Sequence, residues 1–267
     1  MIAPAELAAL REFAVGAARA AGRITLDHFG TSLTVERKAD GSPVTVADRA
    51  AEEYLRERLT AACPQDGIIG EEFGAAEGGS GRRWTVDPID GTIAFARGVP
   101  LYGVLLGLLD GDDAVLGVIH LPALGETVAA ARGVGCQWWR GADGAAGAVT
   151  ARVSTNSALD DALVCCTDFT RLPRGAGPGF GALAAAAGRL RTWGDCWGHA
   201  LVATGRADAM IDPKMAIWDS VPLLPIVEEA GGRFTTLARV ADPAGGSAVS
   251  TNGRLHDALL ACINIST

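Results

Sequence analysis

The sequence predicts an α/β protein whose first half is α+β in character. Three observations carry that expectation. Beyond Ser157, short apolar runs alternate with helical stretches, as a sheet covered by helices requires. Before it, helical periodicity gives way to consecutive strand-like runs separated by turn residues. The chain has 267 residues, 49% of them hydrophobic, long enough to bury roughly 70–75% of its unfolded surface. No internal repeat or long linker interrupts it. Residues 1–154 and 155–267 are therefore read as two halves of one compact unit.

Taken in order, residues 4–29 place Leu7, Leu10, Phe13, Ala14, Ala17 and Ala21 at helical spacing, with Gly30 as the expected C-cap. A strand over 33–38 and a turn over 39–43 follow. Thr45 is suited to cap a helix over 47–61, which Cys63-Pro64 ends. Ile68-Ile69-Gly70 reads as a short buried strand delivering Glu71 and Glu72. Residues 73–83, rich in Gly and Ala, read as a mobile loop. Strands are expected at 84–86, 103–109, 114–120 and 127–131, with Asp110-Gly111 as a hairpin turn. Edge strands are expected at 133–139 and 151–154, separated by a turn over 142–148. The second half reads as strands at 163–166, 190–193, 209–211, 234–236 and 248–250. Helices lie between and after them at 180–189, 196–204, 219–230 and 255–262.

Composition excludes several classes. The formal charge of −8 gives no general attraction to nucleic acid. The six cysteines show no CxxC spacing, so neither a disulfide framework nor a zinc site is expected, and a reduced cytoplasmic location fits. Cys196 reads as a small buried thiol. The first ten residues carry Pro4 and Glu6 and lack the basic start of a signal peptide. No apolar run is long enough to span a membrane.

Residues 84–95 carry the densest chemistry. Asp87 and Asp90 stand three apart, joined by Pro88, which offers no N–H. Gly91 lets backbone come close to a ligand. A helix opening at Thr92 would leave N–H groups free, and such a start favours an anion. Carboxylates for hard cations beside bare N–H groups suggest metal-assisted phosphate chemistry. The same composition is also ordinary turn chemistry, so the stretch alone is equally read as a capped turn.

Other segments shift that balance. Lys38-Ala-Asp-Gly-Ser-Pro-Val-Thr-Val-Ala-Asp48, Glu71-Glu72, Asp87-Pro-Ile-Asp90-Gly-Thr92 and Trp218-Asp219 occur in that order. Together they resemble the inositol monophosphatase family, a group of Mg²⁺-dependent, lithium-sensitive phosphatases, from about residue 38 to 232. The resemblance implies a layered αβαβα sandwich of the inositol monophosphatase/fructose-1,6-bisphosphatase type, with the site where two halves meet. It implies two or three Mg²⁺ per site and a homodimer. By resemblance, Glu71, Asp87 and the Ile89 carbonyl hold a first metal, and Asp87, Asp90 and Asp219 a second. Thr92, helped by Asp48 and Glu71, orients the attacking water, and Gly91 and Thr92 present N–H groups to phosphate. Asp48 is alternatively a surface salt-bridge residue, Asp219 also suits a helix N-cap, and Glu72 reads as a solvated neighbour. Pro222 departs from the small residue usual in the family's second motif and is placed in a first helical turn, where proline is tolerated.

Substrate choice rests on Trp193-Gly194-Asp195-Cys196-Trp197 and Asp212-Pro213. These resemble the histidinol-phosphatase branch. Asp195 and Asp212 suit a cationic substrate, with Trp197 packing on its ring. Asp195 is equally read as a helix N-cap, because Gly-Asp before a helix is common capping chemistry. Arg191 and His199 read as structural. The expected function is a Mg²⁺-dependent phosphomonoesterase acting on histidinol phosphate. The alternatives are inositol 1-phosphate or another sugar phosphate and, more remotely, a non-catalytic metal- or phosphate-binding regulator.

Overall fold

The structure, a computed structural model, describes residues 2–32, 34–38, 41, 43–141, 144–168 and 179–263. Two helices open the chain, α1 (Pro4–Leu26) and α2 (Val46–Ala62), with a small ribbon of β1 (Glu36–Arg37) and β2 (Pro43–Val44) between them. An eight-stranded sheet follows, built from β3 (Gly67–Gly70), β4 (Gly74–Ala76), β5 (Arg82–Asp90), β6 (Gly103–Asp110), β7 (Asp113–Leu121), β8 (Glu126–Ala131), β9 (Gly135–Arg140) and β10 (Ala148–Thr150). Its spatial order is β10-β9-β8-β7-β6-β5-β3-β4, antiparallel except for β3 beside β5. The short helix α3 (Thr92–Ala96) leaves the end of β5.

The second half holds a five-stranded sheet of β11 (Leu163–Cys166), β12 (Arg189–Arg191), β13 (Ala209–Asp212), β14 (Arg233–Thr235) and β15 (Ala248–Thr251), in the order β12-β11-β13-β15-β14. Its helices are α4 (Gly179–Ala186), α5 (Asp195–Ala203), α6 (Ile217–Glu229) and α7 (His256–Ile263).

Strand periodicity explains the layering. Along β6, Val104, Leu106 and Leu108 enter the core shared with α1 and α2, whereas Leu105 and Leu109 enter the core shared with α5 and α6. The strand reads as one apolar run because both its faces are buried. Along β13, Ala209 and Ile211 join the α4 and α7 side, and Met210 faces α5. The stack is therefore α1α2, large sheet, α5α6, small sheet, α4α7: the expected αβαβα sandwich.

Several expectations are corrected. Residues 74–76 form β4, paired antiparallel with β3, and residues 82–83 already belong to β5, so 73–83 is not simply a loop. The glycine and alanines of β4 carry no strand propensity, and the register comes from β3. The edge strand is 148–150 rather than 151–154. α1 ends at Leu26 with Asp27 as its cap, and Gly30, at φ 71°, closes the turn beyond. Residue 33 of the expected strand, residues 39, 40 and 42 of the turn after it, and residues 142–143 of the later turn lie outside the described residues.

Pro222 is also placed differently. α6 begins at Ile217, so Pro222 is its sixth residue and lies inside the helix, as does Pro225. An interior proline costs a helix about 3 kcal/mol through its missing N–H and its ring. Here the helix backbone at Pro222 lies directly on the large sheet, over two glycines that face each other across β6 and β7, Gly107 and Gly117. A Cβ on Gly107 would approach the Pro222 nitrogen at 3.0 Å, and one on Gly117 would collide with the Pro222 carbonyl. Gly117→Ala is therefore expected to lower the unfolding free energy by about 1–3 kcal/mol through overpacking. It should be read as a lower urea midpoint at unchanged slope. An unchanged midpoint would show that α6 is not seated there.

Candidate active site

β5 carries its pairing with β6 as far as Asp87, then shifts register before Asp90. Pro88 stands in that shift, and the Ile89 N–H donates to Asp87 Oδ1 at 2.9 Å, so the aspartate itself serves the backbone after the proline. Gly91 follows at φ 88°, the left-handed conformation glycine adopts most readily, and caps α3. Phe95 of α3 packs edge-on to Tyr102, with ring centroids 4.9 Å apart. The Tyr102 hydroxyl meets Thr25 of α1 at 3.2 Å. These contacts fix the turn that carries Asp90, Gly91 and Thr92.

Asp219 is the third residue of α6. Its Oδ2 accepts from the Ala216 N–H at 2.7 Å, so Ala216 is the N-cap and Asp219 reaches back to it. One carboxylate oxygen from each of Asp87, Asp90 and Asp219 lies within 4.8 Å of the others. Asp90 Oδ2 accepts from the Cys196 N–H at the start of α5. Both halves of the chain thus meet at this cluster. Glu71, after β3, adjoins Asp87, and its carboxylate accepts from Lys38 Nζ at 2.7 Å. The same ammonium lies 2.6 Å from Glu72, whose side chain is only 5% exposed. Glu72 is therefore an ion-paired, buried carboxylate rather than a solvated neighbour.

Asp48 is fully buried, not a surface salt-bridge residue. Its Oδ2 accepts from the Thr45 N–H at 2.8 Å and from the Thr45 hydroxyl at 2.6 Å. Its Oδ1 is buried without a hydrogen-bond partner among the described residues. The Thr92 hydroxyl donates to the Ile89 carbonyl at 3.0 Å.

Electrostatics follow from crowding like charges in a dry place. Burial and then the Glu71, Asp90 and Asp219 charges push Asp87 well above the usual carboxylate range. Burial and Asp219 raise Asp90 to about 7, and burial raises Asp219 to about 6. Burial raises Glu72 to about 7 despite the opposing pull of Lys38.

The two further aspartates lie behind this cluster. Asp195 is the first residue of α5 and Gly194 is its N-cap, with no side-chain cap bond, so the capping alternative does not hold. Asp195 takes φ 53°, unusual outside glycine. A Cβ on Gly91 would lie 3.3 Å from Asp195 Oδ2, which places that carboxylate over the Gly91 turn. Burial and then Asp90 raise Asp195 to about 7. Asp212, at the end of β13, is buried and pushed well above its ordinary value, chiefly by burial. Trp197, two residues on from Asp195 in α5, has the Arg206 guanidinium 4.9 Å from its ring. Cys196 is buried as expected, and so is His199, whose Nδ1 meets the Ser250 hydroxyl at 2.7 Å.

Two residues escaped the sequence reading. Glu52, wholly buried, accepts from the Glu72 N–H at 2.7 Å, the Phe73 N–H at 3.2 Å and Arg56 Nε at 2.7 Å. It clamps the turn that carries Glu71. The available signal was a helical stripe, Asp48, Glu52, Leu55 and Leu59, that sets two carboxylates in line with the core leucines. Thr167, which follows β11, contacts both Asp195 and Asp212, and no spacing marks it.

Known proteins agree with this geometry. The inositol monophosphatase family description matches residues 6–266. The chain is 44% identical over 256 residues to the histidinol-phosphatase of Chlorobaculum parvum, covering 94% of this chain and 95% of that one. It is 41% identical over 256 residues to the histidinol-phosphatase of Mycobacterium tuberculosis, covering 94% and 96%. Among solved structures, the Thermotoga maritima IMPase superposes with a TM-score of 0.84 at 29% identity, covering 95% of this chain and 96% of that one. The protein belongs to the inositol monophosphatase family of metal-dependent phosphatases and is a phosphoric monoester hydrolase.

Proposed function

We propose that this enzyme is a Mg²⁺-dependent histidinol-phosphatase. The observation that carries the reading is the pair Asp195, half-buried, and Asp212, buried, beside the cluster of Asp87, Asp90 and Asp219. A neutral polyol has no charge to set against them, whereas histidinol phosphate carries an ammonium and an imidazole. The two histidinol-phosphatases at 44% and 41% identity support the same choice over the IMPase at 29%. The family match and the histidinol-phosphatases among its relatives set a non-catalytic role aside.

The residues present fit divalent cations. All donors in the cluster are oxygens, as hard cations require. Among the described residues the carboxylates outnumber the ammonium that reaches them, Lys38. Bound Mg²⁺ would neutralise the phosphate and lower the pKa of a water. In this reading Glu71, Asp87 and the Ile89 carbonyl hold one ion and Asp87, Asp90 and Asp219 a second, with a third near Glu71. Asp48 Oδ1, Thr92 and Glu71 orient the water, and the Gly91 and Thr92 N–H groups face phosphate. Asp195 and Asp212 hold the cationic end of the substrate. The same reading takes a lithium-sensitive homodimer working in the cytoplasm, as the family resemblance implies.

Metal binding should be visible in stability before any turnover is measured. In the metal-free protein Asp90, Asp195 and Glu72 hold their protons to about pH 7 and Asp219 to about pH 6. In the unfolded chain they ionise near pH 4. Folding therefore takes up protons between about pH 4 and 7, and stability falls as pH rises through that window. His199 and His256, held down to about 3 and 4 by burial, act in the opposite sense below about pH 6.5 but are fewer. Melting temperature in chelator should fall from about pH 5 to 7.5, and the gain on adding Mg²⁺ should grow over the same range. An equal Mg²⁺ gain at both ends would remove the metal assignment.

Asp87→Asn should cost more than about a hundredfold in kcat/KM, since even outer-shell partners of metal ligands cost 10–100-fold. Near-normal turnover in saturating Mg²⁺ would exclude a shared ligand. A panel of phosphate monoesters tests the substrate. Histidinol phosphate should be preferred, and Asp195→Asn or Asp212→Asn should lower its kcat/KM roughly ten- to a hundredfold, the worth of a charge-assisted bond. Glycerol 2-phosphate, with no cation, should lose much less. Equal losses on both esters would return the assignment to inositol 1-phosphate or another sugar phosphate.

A further inference from the structure

We propose that Thr167 is a positioning residue for substrate selectivity, tying Asp195 and Asp212 together from behind the pocket. The inference rests on the reading that these aspartates hold a cationic alcohol. The Asp195 N–H donates to Thr167 Oγ1 at 2.8 Å, and Thr167 Oγ1 donates to Asp212 Oδ2 at 2.8 Å. A hydroxyl has one proton. Its oxygen accepts from the Asp195 amide, and its proton goes to Asp212 Oδ2. Asp212 is thereby held through one oxygen, leaving the other for a ligand.

The arrangement joins three elements that are distant in sequence: the end of β11, the start of α5 and the end of β13. Asp195 sits at φ 53°, where a residue other than glycine is strained and needs an outside hold. Its N–H is among the first of α5, which have no partner within the helix. Thr167 takes this one, and Asp90 takes the next, from Cys196. Gly194 is built for the contact, because a Cβ there would lie 2.7 Å from Thr167 Oγ1 and 2.5 Å from its Cα. Selectivity and the metal-ligand cluster are thus pinned to consecutive amides of one helix start.

Thr167→Val removes both bonds at nearly constant shape, and Thr167→Ser keeps the hydroxyl. The measurement is kcat and KM on histidinol phosphate and glycerol 2-phosphate in saturating Mg²⁺, with a melting curve for each variant. Wild type is read first. No preference for histidinol phosphate there would overturn the substrate reading and this inference with it. With the preference present, Thr167→Val should lower the selectivity ratio about tenfold, chiefly through KM for histidinol phosphate. Thr167→Ser should restore most of it. A second variant, Asp212→Asn combined with Thr167→Val, should lose little selectivity beyond Asp212→Asn alone, because the two act as one unit. An unchanged ratio in Thr167→Val, or equal losses on both esters, would overturn the role of Thr167 while leaving the substrate reading standing. If Thr167→Val does not fold, Thr167→Ala is read in the same way, and failure of both to fold would make the residue structural and overturn the proposal.

Discussion

The constraint on which the rest depends is the burial of several carboxylates at one junction. Like charges in a dry site repel, and each must find a partner or keep its proton. The fold meets this with one repeated device. Asp87 accepts an N–H from Ile89, Asp219 from Ala216, Asp90 from Cys196, Asp48 from Thr45, and Glu52 from Glu72 and Phe73. In the four aspartates only one oxygen accepts the backbone bond named here. The side chains are fixed in place by main chain, and the remaining lone pairs stay available to a cation.

That device also explains why the layers are arranged as they are. A carboxylate is most readily held by an amide where a strand ends, a turn runs or a helix begins, because amides inside a helix already have partners. β3 and β5 end at the site, and α2, α3, α5 and α6 begin near it. The two glycines beneath Pro222 let α6 sink onto the large sheet, which sets the depth at which Asp219 arrives beside Asp87 and Asp90.

Much of this was legible because the chemistry is written in short motifs. Glu71, Asp87, Asp90 and Asp219 stand out as carboxylates at turns, and β6 and β7 as strands bounded by a clear hairpin signal. What was not legible depends on contacts between distant segments. Glu52 looks like any charged residue of an amphipathic helix until its three donors are seen. Thr167 has no sequence mark, because its importance comes from Asp195 and Asp212 converging on it. Asp195 follows a glycine, which suggested a cap, yet the cap is the glycine. Sequence proximity sets Trp197 with Asp195, and only the fold adds the Arg206 guanidinium 4.9 Å from its ring. β4 lacks strand formers, and only its partner β3 makes it a strand.

The bond from the Cys196 amide to Asp90 has a consequence for biosynthesis. Asp87 and Asp90 leave the ribosome long before α5 and α6 do. Until those helices dock, the early carboxylates lack the amide of Cys196 and the neighbour Asp219 that complete the pocket. The first half alone lacks the cover that α6 gives the apolar face of its large sheet. A complete site therefore needs α5 and α6, which bring the Cys196 amide and Asp219 to the early carboxylates.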